Sequence, residues 1–353
     1  MMTLRQFASR PDAVPTTTSW YLADLGRAQG MQELFTRQSP QKLKTLRDCA
    51  MIESTVSSNR IEGVEVDPTR IGTLVFGRPA LRDRNEEELR GYRDALRRIH
   101  EKGSKLPLNE KTILDLHRLN RGDIWDAGRY KDKPVDIIEK HADGRQTVRF
   151  RTLTPEKTPE AVRELFDLWN QGLLERWIHP LVLLGALNLD FLCIHPFRDG
   201  NGRVSRLLLL LGCNHLGLEV GRYISLERTI EENKERYYET LALSSRGWET
   251  GRHDAWPYIN YLLFILKTAY ADFEQRIGLL KNGRGEKTER IIAAIRSRLG
   301  PFRVGEIQAA CPGVSVDMIR RVLKKFRADG KVRCLGRGQN AQWQADGELG
   351  NTH

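Results

Sequence analysis

The chain of 353 residues is 29% charged and 40% hydrophobic, and it carries a formal net charge of +11. This size accommodates two or three domains with separate cores, and the hydrophobic content excludes an intrinsically disordered chain. Residues 1–12 lack the apolar region of a signal peptide, and no segment approaches the roughly 20 apolar residues that cross a bilayer. The sequence therefore predicts a cytoplasmic protein with no membrane partner.

The spacing of the cysteines indicates whether they form metal or redox sites. The five cysteines never form the Cys-x-x-Cys spacing of zinc or redox sites, so we expect buried free thiols. They are Cys49, Cys193, Cys213, Cys311 and Cys334.

Positive charge is concentrated in residues 284–343, which contain 14 Lys and Arg and 5 Asp and Glu. This excess favours an anionic partner, without separating nucleic acid from a nucleotide or an acidic protein.

Helical patterns begin after the first forty residues, in which Pro11, Pro15 and the polar run 16–19 predict an irregular arm. Ser39-Pro40 is typical of a helix start, and apolar residues recur at helical spacing from Gln41 to Asn59. Gly63 predicts the end of this helix. The next two helices are predicted at Asn85–Lys102 and Asn109–Asn120.

A change of period marks residues 130–150, which are richer in Val, Ile and Thr. Val135–Ile138 and Gln146–Phe150 flank the turn Ala142-Asp143-Gly144, which predicts a β-hairpin. Helical patterns then continue to residue 281. The predicted helices are Pro159–Gln171, His179–Ile194, Gly202–His215, Thr229–Ser244 and Pro257–Lys281.

The last part of the chain follows a segment of linker composition at 281–285, which predicts a domain boundary. Helices are predicted at Lys287–Leu299, Val304–Ala310 and Ser315–Asp329, and strands at Lys331–Leu335 and Gln342–Gln344, with Gly336-Arg337-Gly338 between the strands. That order matches a winged helix-turn-helix. We therefore expect a mainly α chain in three parts: an N-terminal arm and helical region (1–105), a helical core (106–280) and a winged helix-turn-helix (284–346).

The segment from His195 to Arg206 joins two strongly apolar helices and reads His-Pro-Phe-Arg-Asp-Gly-Asn-Gly-Arg-Val-Ser-Arg. Pro196 disfavours helical geometry at the residue before it, so the incoming helix should end at His195. The Asp-Gly and Asn-Gly dipeptides tolerate positive φ, which lets consecutive backbone N–H groups converge. Such a nest at a helix N-terminus is an anion-binding site.

The charged side chains of this segment suit a polyphosphate. Arg203 and Arg206 fall on one face of the first two helical turns, where each positive charge is unfavourable by about 0.3–1 kcal/mol unless an anion is bound. Asp199 is a suitable Mg²⁺ ligand beside phosphate groups. His195 can take a proton from an attacking hydroxyl near neutral pH.

These twelve residues resemble the Fic family motif, His-x-Phe-x-Asp/Glu-Gly-Asn-Gly-Arg-x-x-Arg, and the resemblance covers roughly residues 40–275. It implies a Fic helical core with a small β-hairpin flap that docks a target segment by strand pairing. The implied activity is protein adenylyltransfer, in which AMP moves from ATP onto a Ser, Thr or Tyr hydroxyl of a protein, including the chain itself.

The resemblance also implies a role for each matching residue. His195 would be the general base, and Asp199 would hold Mg²⁺. The residues that would bind the ATP phosphates are Gly200, Asn201, Gly202, Arg203 and Arg206. The Asn233-x-x-x-Tyr237-Tyr238 segment resembles the region that receives adenine, although aromatic residues on a helix are more often core residues.

The segment from Ser58 to Gly63 resembles the family's inhibitory motif, Ser/Thr-x-x-x-Glu-Gly/Asn. If the helix stops at Gly63, Glu62 lies at the negative end of the helix dipole, where an anion is unfavourable. A pair between Glu62 and Arg206 would relieve both misplaced charges and would occupy the arginine meant for the γ-phosphate. We therefore expect autoinhibition by Ser58 and Glu62, with an ordinary exposed carboxylate as the alternative.

The third helix of the tail leaves two interpretations open. Its basic residues, Arg320, Arg321, Lys324, Lys325 and Arg327, flank an apolar face at helical spacing. A DNA recognition helix is one interpretation, and a module for protein contacts with a solvated cationic face is the other. A DNA-binding transcription regulator that senses nucleotide is thus the alternative to an enzyme. Removal of AMP by the same site and a homodimer also stay open.

Overall fold

The computed structural model describes residues 2–9, 13–36, 40–140, 146–281, 286–298, 300–311, 313–336 and 341–345. The predicted mainly helical fold is confirmed. In chain order its α-helices are α1 (Thr3–Ser9), α2 (Thr16–Thr36), α3 (Pro40–Ile61), α4 (Ile71–Phe76), α5 (Arg84–Lys102), α6 (Glu110–Arg121), α7 (Thr158–Glu175), α8 (Pro180–Ile194), α9 (Asn201–His215), α10 (Leu226–Glu232), α11 (Lys234–Ser245), α12 (Trp256–Lys281), α13 (Glu286–Arg296), α14 (Val304–Ala310) and α15 (Val316–Ala328). Short 3₁₀ turns lie at Gly103–Lys105, Pro155–Lys157, Val220–Arg222 and Trp248–Thr250. The strands are β1 (Ile137–Lys140), β2 (Gln146–Phe150), β3 (Phe302–Arg303), β4 (Val332–Cys334) and β5 (Gln342–Ala345).

Helices α8 and α9 form the centre of the main core. Every residue of α8 from Leu181 to Ile194 is buried, as expected of a helix that is apolar on all sides. In α9, nearly every residue from Asn201 to Asn214 is buried as well. The six residues that connect these helices are therefore held at both ends by the most buried part of the protein.

The first forty residues correct the predicted irregular arm, because α1 and α2 are helices. Both carboxylate oxygens of the buried Asp190, in the middle of α8, accept the backbone N–H groups of Thr3 and Leu4, at 2.8 and 3.0 Å. A carboxylate at a helix N-terminus satisfies donors that have no partner within the helix. This carboxylate comes from 186 residues along the chain, so local sequence does not reveal the helix.

Other predicted helices agree with the structure to within a few residues. Helix α3 ends at Ile61, two residues before Gly63, whose φ is 80°. The predicted helix Thr229–Ser244 is instead two helices, α10 and α11, which meet at Asn233. Helix α4 is an additional helix that the sequence analysis did not predict. Among the described residues, no helix is long and apolar enough to cross a membrane.

The predicted hairpin is present as the antiparallel pair β1 and β2. Ile137 faces Phe150, and Lys140 faces Gln146, with a register shift between Ile137 and Ile138. The predicted turn at residues 142–144 lies outside the described residues, as do Ser39 and most of the predicted linker.

Residues 286–345, the C-terminal unit, have a hydrophobic cluster of their own, centred on Ile295, Phe302 and Leu323. Helices α13, α14 and α15 pack with a three-stranded antiparallel sheet in the order β3, β5, β4. The three helices and the strands β4 and β5 follow the predicted order, whereas β3 is an additional strand. The assignment as a winged helix-turn-helix stays a prediction. The unit contacts the loop that follows α3, where a side chain on Gly300 would collide with Pro68.

All five cysteines are free, as predicted. Cys193, Cys213 and Cys311 are buried, whereas Cys49 and Cys334 are partly exposed, so the expectation of burial is correct for three of them.

Candidate active site

His195 directly follows α8 and adopts a left-handed backbone conformation, with φ 52°. The helix ends at Ile194, as predicted from Pro196. The Nδ1 atom of His195 lies 3.3 Å from the carbonyl oxygen of Leu192. Because a carbonyl only accepts hydrogen bonds, this contact places the hydrogen of the neutral ring on Nδ1. The Nε2 atom then carries a lone pair and can accept a proton.

The pKa of His195 is lowered to about 4, chiefly by burial and next by the positive charge of Lys131. The carboxylates of Glu62 and Asp199 act in the opposite direction. At neutral pH the imidazole is therefore uncharged, which is the form that a general base needs before reaction.

The loop after His195 is shaped by side chains that face inward. The side-chain amide of Asn201 makes two hydrogen bonds with the backbone of Phe197. Its Oδ1 accepts the Phe197 N–H and its Nδ2 donates to the Phe197 carbonyl, each at 2.9 Å. The ring of His117 stacks on Phe197 with centroids 3.8 Å apart. His117 Nδ1 accepts the N–H of Gly128, so its Nε2 donates to the Asp199 carbonyl at 3.0 Å. The Asn201 side chain thus holds the loop in shape, whereas the sequence analysis expected it to face phosphate groups.

The N-terminus of α9 begins at the predicted Gly-Asn-Gly turn. Gly200 has a φ of 81°, and no side chain caps the helix. The first N–H groups of a helix lack intrahelical acceptors and attract anions. The Glu62 carboxylate lies directly over this turn, because a side chain on Gly202 would collide with Glu62 Oε1. A carboxylate therefore occupies the position that favours an anion.

Arg206 connects this helix to the last turns of α3. Its Nη2 donates to Glu62 Oε1 at 2.8 Å and to the Ser58 carbonyl at 2.9 Å, and its Nε donates to Ser58 Oγ at 2.8 Å. Burial acts to lower the pKa of Arg206, but Glu62, Tyr237 and Tyr92 together outweigh burial and raise the pKa above its usual value. The contact between Glu62 and Arg206 expected from the sequence is present.

Arg203 has a different set of partners. It is 2% exposed, its Nη1 lies 2.5 Å from Glu88 Oε2, and the same atom lies 3.5 Å from Asn59 Oδ1. Arg203 therefore anchors α9 to α5 and α3, whereas the sequence analysis expected its guanidinium to hold phosphate groups. Its Nε has no hydrogen-bond partner.

Asp199 is the predicted metal ligand, and its side chain is 58% exposed. One oxygen accepts the N–H of Gly200 at 2.6 Å, and the other pairs with Arg121 Nη1 at 2.5 Å. Burial acts to raise the pKa of Asp199, but the charges of Arg203 and Arg121 hold it below its usual range. Among the described residues, no group of three or more His, Cys, Asp and Glu side chains could hold a metal ion. Mg²⁺ here would thus take one carboxylate from the protein and its remaining ligands from phosphate and water, a set that this ion accepts.

Several buried polar atoms around the loop have no hydrogen-bond partner within the part of the chain that the structure describes. They include Arg206 Nη1, Arg203 Nε, Arg121 Nε and both amide atoms of Asn120. Asn120 Nδ2 lies 3.3 Å from the position that a Cβ on Gly200 would occupy. Buried donors are usually satisfied, and these donors surround the N-terminus of α9. This distribution suits a bound anion with several oxygens.

A cavity of about 310 Å³ opens beside the loop and is lined by His195, Gly202 and Glu62 on one side. Tyr237, Tyr238 and Leu241 of α11 line the other side, and Asp136 and Phe150 lie at the base of the hairpin. Asn233 is absent from the lining among the described residues, because it lies at the junction of α10 and α11 and its amide donates to the Thr229 carbonyl. Of the segment expected near adenine, Tyr237 and Tyr238 line the cavity.

A sequence profile of the Fic/DOC family matches residues 107–212, which include α6 to α8 and most of α9. The chain therefore contains a Fic/DOC family region at residues 107–212.

Relatives and solved structures agree with this assignment. The protein adenylyltransferase fic-1 of Caenorhabditis elegans is 28% identical over 204 residues, which are 56% of this chain and 34% of that protein. The protein adenylyltransferase Fic of Nematostella vectensis is 24% identical over 225 residues, 60% of this chain and 46% of that protein. The chain thus spans between a third and a half of the length of these relatives.

Two solved structures share the fold. A Fic family protein from Desulfovibrio desulfuricans G20 superposes with a TM-score of 0.62 at 20% identity, covering 96% of this chain and 98% of that chain. A Fic domain containing signaling protein from Bacteroides thetaiotaomicron has a TM-score of 0.60 at 23% identity, covering 72% of this chain and 98% of that one.

Several residues that contact the Fic motif were not predicted from the sequence. Among them are Glu88, His117 and Arg121, through their side chains, and Lys131, through its backbone N–H. A signal for two of them is present in α6. Its buried stripe begins with Ile113 and Leu116 and continues with polar residues, His117 and Arg121. Polar residues that continue an apolar stripe are buried with it, and buried polar groups need partners. Glu88 and Lys131 carry no such signal.

Proposed function

We propose that this chain transfers AMP from ATP to a protein hydroxyl. The observation that carries the proposal is the position of His195, which lines a cavity together with Gly202 and Glu62 at the N-terminus of α9 and has an unprotonated Nε2. Arg206, which pairs with Glu62, adds positive charge to this anion site. The names of the curated relatives, protein adenylyltransferase, support the same activity.

The reaction requires one proton transfer and one displacement at phosphorus. The target hydroxyl gives its proton to His195 Nε2 while its oxygen forms a bond to the α-phosphorus of ATP. The bond from the α-phosphorus to the bridging oxygen breaks, and its electron pair leaves with pyrophosphate. The backbone N–H groups at Gly200 to Gly202 and the free Nη1 of Arg206 face the phosphate groups and stabilise their charge.

Asp199 would hold Mg²⁺ with its exposed carboxylate, and the ion would neutralise charge on the phosphates and on the departing pyrophosphate. The ion pair between Asp199 and Arg121 keeps that carboxylate ionised and directed along the loop.

The target is a protein segment presented by the hairpin of β1 and β2. Both strands lie at an edge of their two-stranded sheet, and exposed edges pair with extended peptides. The base of the hairpin contributes Phe150 to the cavity that His195 lines, so a docked peptide would lie near the base. The chain itself is the first target to test.

Glu62 acts as a brake in this proposal. Its carboxylate covers Gly202 and pairs with Arg206, so it competes with a phosphate group for both. ATP must displace Glu62 or bind with its phosphates in an unreactive arrangement. A difference of about 1.4 kcal/mol between the two arrangements changes the active population tenfold.

The test is self-AMPylation with radiolabelled ATP and Mg²⁺. Glu62→Gly should raise the signal at least about tenfold, and adding His195→Ala to that variant should remove it. Glu65→Gly is the matched control, because Glu65 is exposed in the same loop and makes no ion pair with Arg206. Mass spectrometry should find an adduct of one adenosine monophosphate residue on the Glu62→Gly protein.

No signal from Glu62→Gly in the presence of Mg²⁺ would contradict AMP transfer by this site. Loss of a preformed AMP adduct from a target, dependent on His195, would instead indicate removal of AMP. An adduct of another mass would indicate a different transferred group.

A second function, DNA binding by the C-terminal unit, is favoured by the surface of α15. Arg321, Lys324 and Lys325 are exposed, whereas Ile319 and Leu323 are buried in the unit's own core. The full chain should then shift duplex DNA at low salt and lose affinity steeply as salt rises. Absent or salt-insensitive binding would remove this proposal and favour a protein partner.

A further inference from the structure

Lys131 is a buried lysine outside the Fic motif, between α6 and the hairpin. It is 3% exposed, and no phosphate-binding or proton-transfer role is assigned to it above. A lysine is almost never fully buried unless its ammonium group has partners. The partners of Lys131 all belong to the active-site loop or to the ends of the hairpin.

Two of its hydrogen bonds enclose His195. The ammonium group donates to the carbonyl oxygen of Ile194 at 3.0 Å, and the backbone N–H donates to the carbonyl oxygen of Pro196 at 2.9 Å. The carbonyl groups of the residues before and after His195 are therefore both bound by one residue. His195 itself has a φ of 52°, a conformation that costs a residue with a side chain about 1–3 kcal/mol unless its surroundings hold it.

A third hydrogen bond reaches the hairpin. The Lys131 ammonium group donates to Thr152 Oγ1 at 2.9 Å, and that hydroxyl donates to the Val135 carbonyl at 2.8 Å. Val135 precedes β1 and Thr152 follows β2, so this chain of hydrogen bonds closes the base of the hairpin. The same ammonium group thus contacts the loop with His195 and the element proposed to hold the target.

We propose that Lys131 is a positioning residue that fixes the His195 backbone and joins it to the base of the hairpin. The inference rests on the proposed function where it takes His195 as the base. Its contribution to catalysis is geometric and electrostatic, because the buried ammonium group touches neither the nucleotide site nor the target.

The charges around His195 make the electrostatic part measurable. Lys131 lowers the pKa of His195, and Glu62 and Asp199 raise it. The pKa of Lys131 is itself lowered to about 8 by burial, with Asp136 acting to raise it, so the ammonium group is charged at neutral pH. Tyr237 and Tyr238, which face the same cavity from α11, are uncharged there.

The experiment uses the full chain with Glu62→Gly, which exposes the activity, and compares Lys131→Met, Thr152→Val and Lys133→Met. Lys131→Met should raise the pKa of His195 by about one pH unit in an NMR titration and move the acid limb of the pH profile for self-AMPylation upward. It should also slow the reaction about tenfold at saturating ATP. Lys133→Met, which removes an exposed charge two residues away, should change none of these.

Thr152→Val separates the link to the hairpin from the charge. It retains the ammonium group and its bond to Ile194, so the pKa of His195 should not change. Amide hydrogen exchange in β1 and β2 should accelerate in both Thr152→Val and Lys131→Met, and should not change in Lys133→Met.

An unchanged His195 titration in a folded Lys131→Met protein would overturn the inference. If Lys131→Met does not fold, unchanged exchange in the Thr152→Val hairpin would overturn it instead. The titration and the exchange measurement need no activity. A Glu62→Gly protein that transfers no AMP would therefore refute the proposed function while leaving Lys131 testable.

Discussion

The loop after His195 and helix α15 of the C-terminal unit both carry closely spaced positive side chains, but their surroundings differ. Arg203 and Arg206 are 2% and 3% exposed, and each lies within 2.8 Å of a carboxylate oxygen. The basic residues of α15 are all exposed, and Arg320 lies 3.8 Å from the exposed carboxylate of Asp317. The first group is paired with carboxylates inside the protein, whereas the second lies on its surface.

This difference explains why the two regions respond to an anion in different ways. A buried guanidinium group needs a negative partner, so a phosphate at Arg206 must replace Glu62. An exposed lysine or arginine needs no protein partner, because water solvates its charge. When such side chains bind the phosphates of a nucleic acid, affinity comes mainly from the counterions that the nucleic acid releases. If the chain transfers AMP as proposed, competition from Glu62 regulates the loop; if the C-terminal unit binds DNA, salt concentration regulates that binding.

The largest effect is expected from Arg203→Met. This change removes the 2.5 Å partner of the buried Glu88 carboxylate, which keeps Arg84 at 3.1 Å and Arg121 at 3.6 Å. We expect a cost of about 3 kcal/mol of unfolding free energy, the lower end of the range for a broken buried ion pair, because part of the charge stays compensated. Urea denaturation measures it. Adding Glu88→Leu should recover part of the loss, because an apolar pair avoids the weakened ion pair. A single substitution that costs under about 1 kcal/mol would show that the ion pair contributes little.

The next largest effect is a loss of stability at low pH that is caused by His117, whose ring stacks on Phe197 of the loop. Its folded pKa is lowered to about 4, chiefly by burial, from an ordinary value of 6.5. The unfolded chain then binds more protons between these values, so stability should fall by up to about 3 kcal/mol as the pH drops from 6.5 to 4.

The pH dependence of His117→Gln tests this contribution. The variant should lose less stability than the original protein over the same pH range, whatever its stability at pH 7. The buried His100 and His253 have pKa values lowered in the same direction and remain in both proteins. Parallel curves for the two proteins would rule out the contribution of His117.

A smaller effect, on ATP binding, is expected when Glu62 can no longer compete with a phosphate group. Glu62→Gln removes the negative charge from the α9 N-terminus and frees Arg206 for a nucleotide. ATP with Mg²⁺ should then bind about tenfold more tightly, which adds about 1.4 kcal/mol of ligand-induced stabilisation at saturation. Thermal unfolding with and without ATP measures the difference. Equal stabilisation of both proteins would mean that Glu62 and ATP do not compete.

The smallest effect on stability is expected in α15. Arg321→Gln with Lys324→Gln should change the unfolding free energy by less than about 0.5 kcal/mol, because both side chains are exposed. If the C-terminal unit binds DNA, the slope of log affinity against log salt should fall by about one for each phosphate that the variant no longer binds. An unchanged slope would place the DNA-binding surface elsewhere.

Much of the fold could be predicted because its signals are local. The ends of α3, α8 and α14 follow from Pro and Gly positions and from apolar spacing, and the hairpin follows from a change of period. The failures were nonlocal. Helix α1 is held by Asp190 from the centre of α8, and the helices α10 and α11 separate at Asn233, where the side-chain amide bonds to Thr229.

The candidate site shows the same division. By itself, the sequence determined which chemistry is available: the base, the anion nest and the expected pairing of Glu62 with Arg206 all come from residues within two short segments. Tertiary structure decided which side chains are free to use that chemistry. Arg203 is paired with Glu88, the Asn201 amide is bonded to Phe197, and the carbonyl groups of Ile194 and Pro196 are bonded to Lys131. Spacing along a chain constrains neighbours within a turn, whereas burial obliges every polar group to find a partner from whichever helix packs beside it.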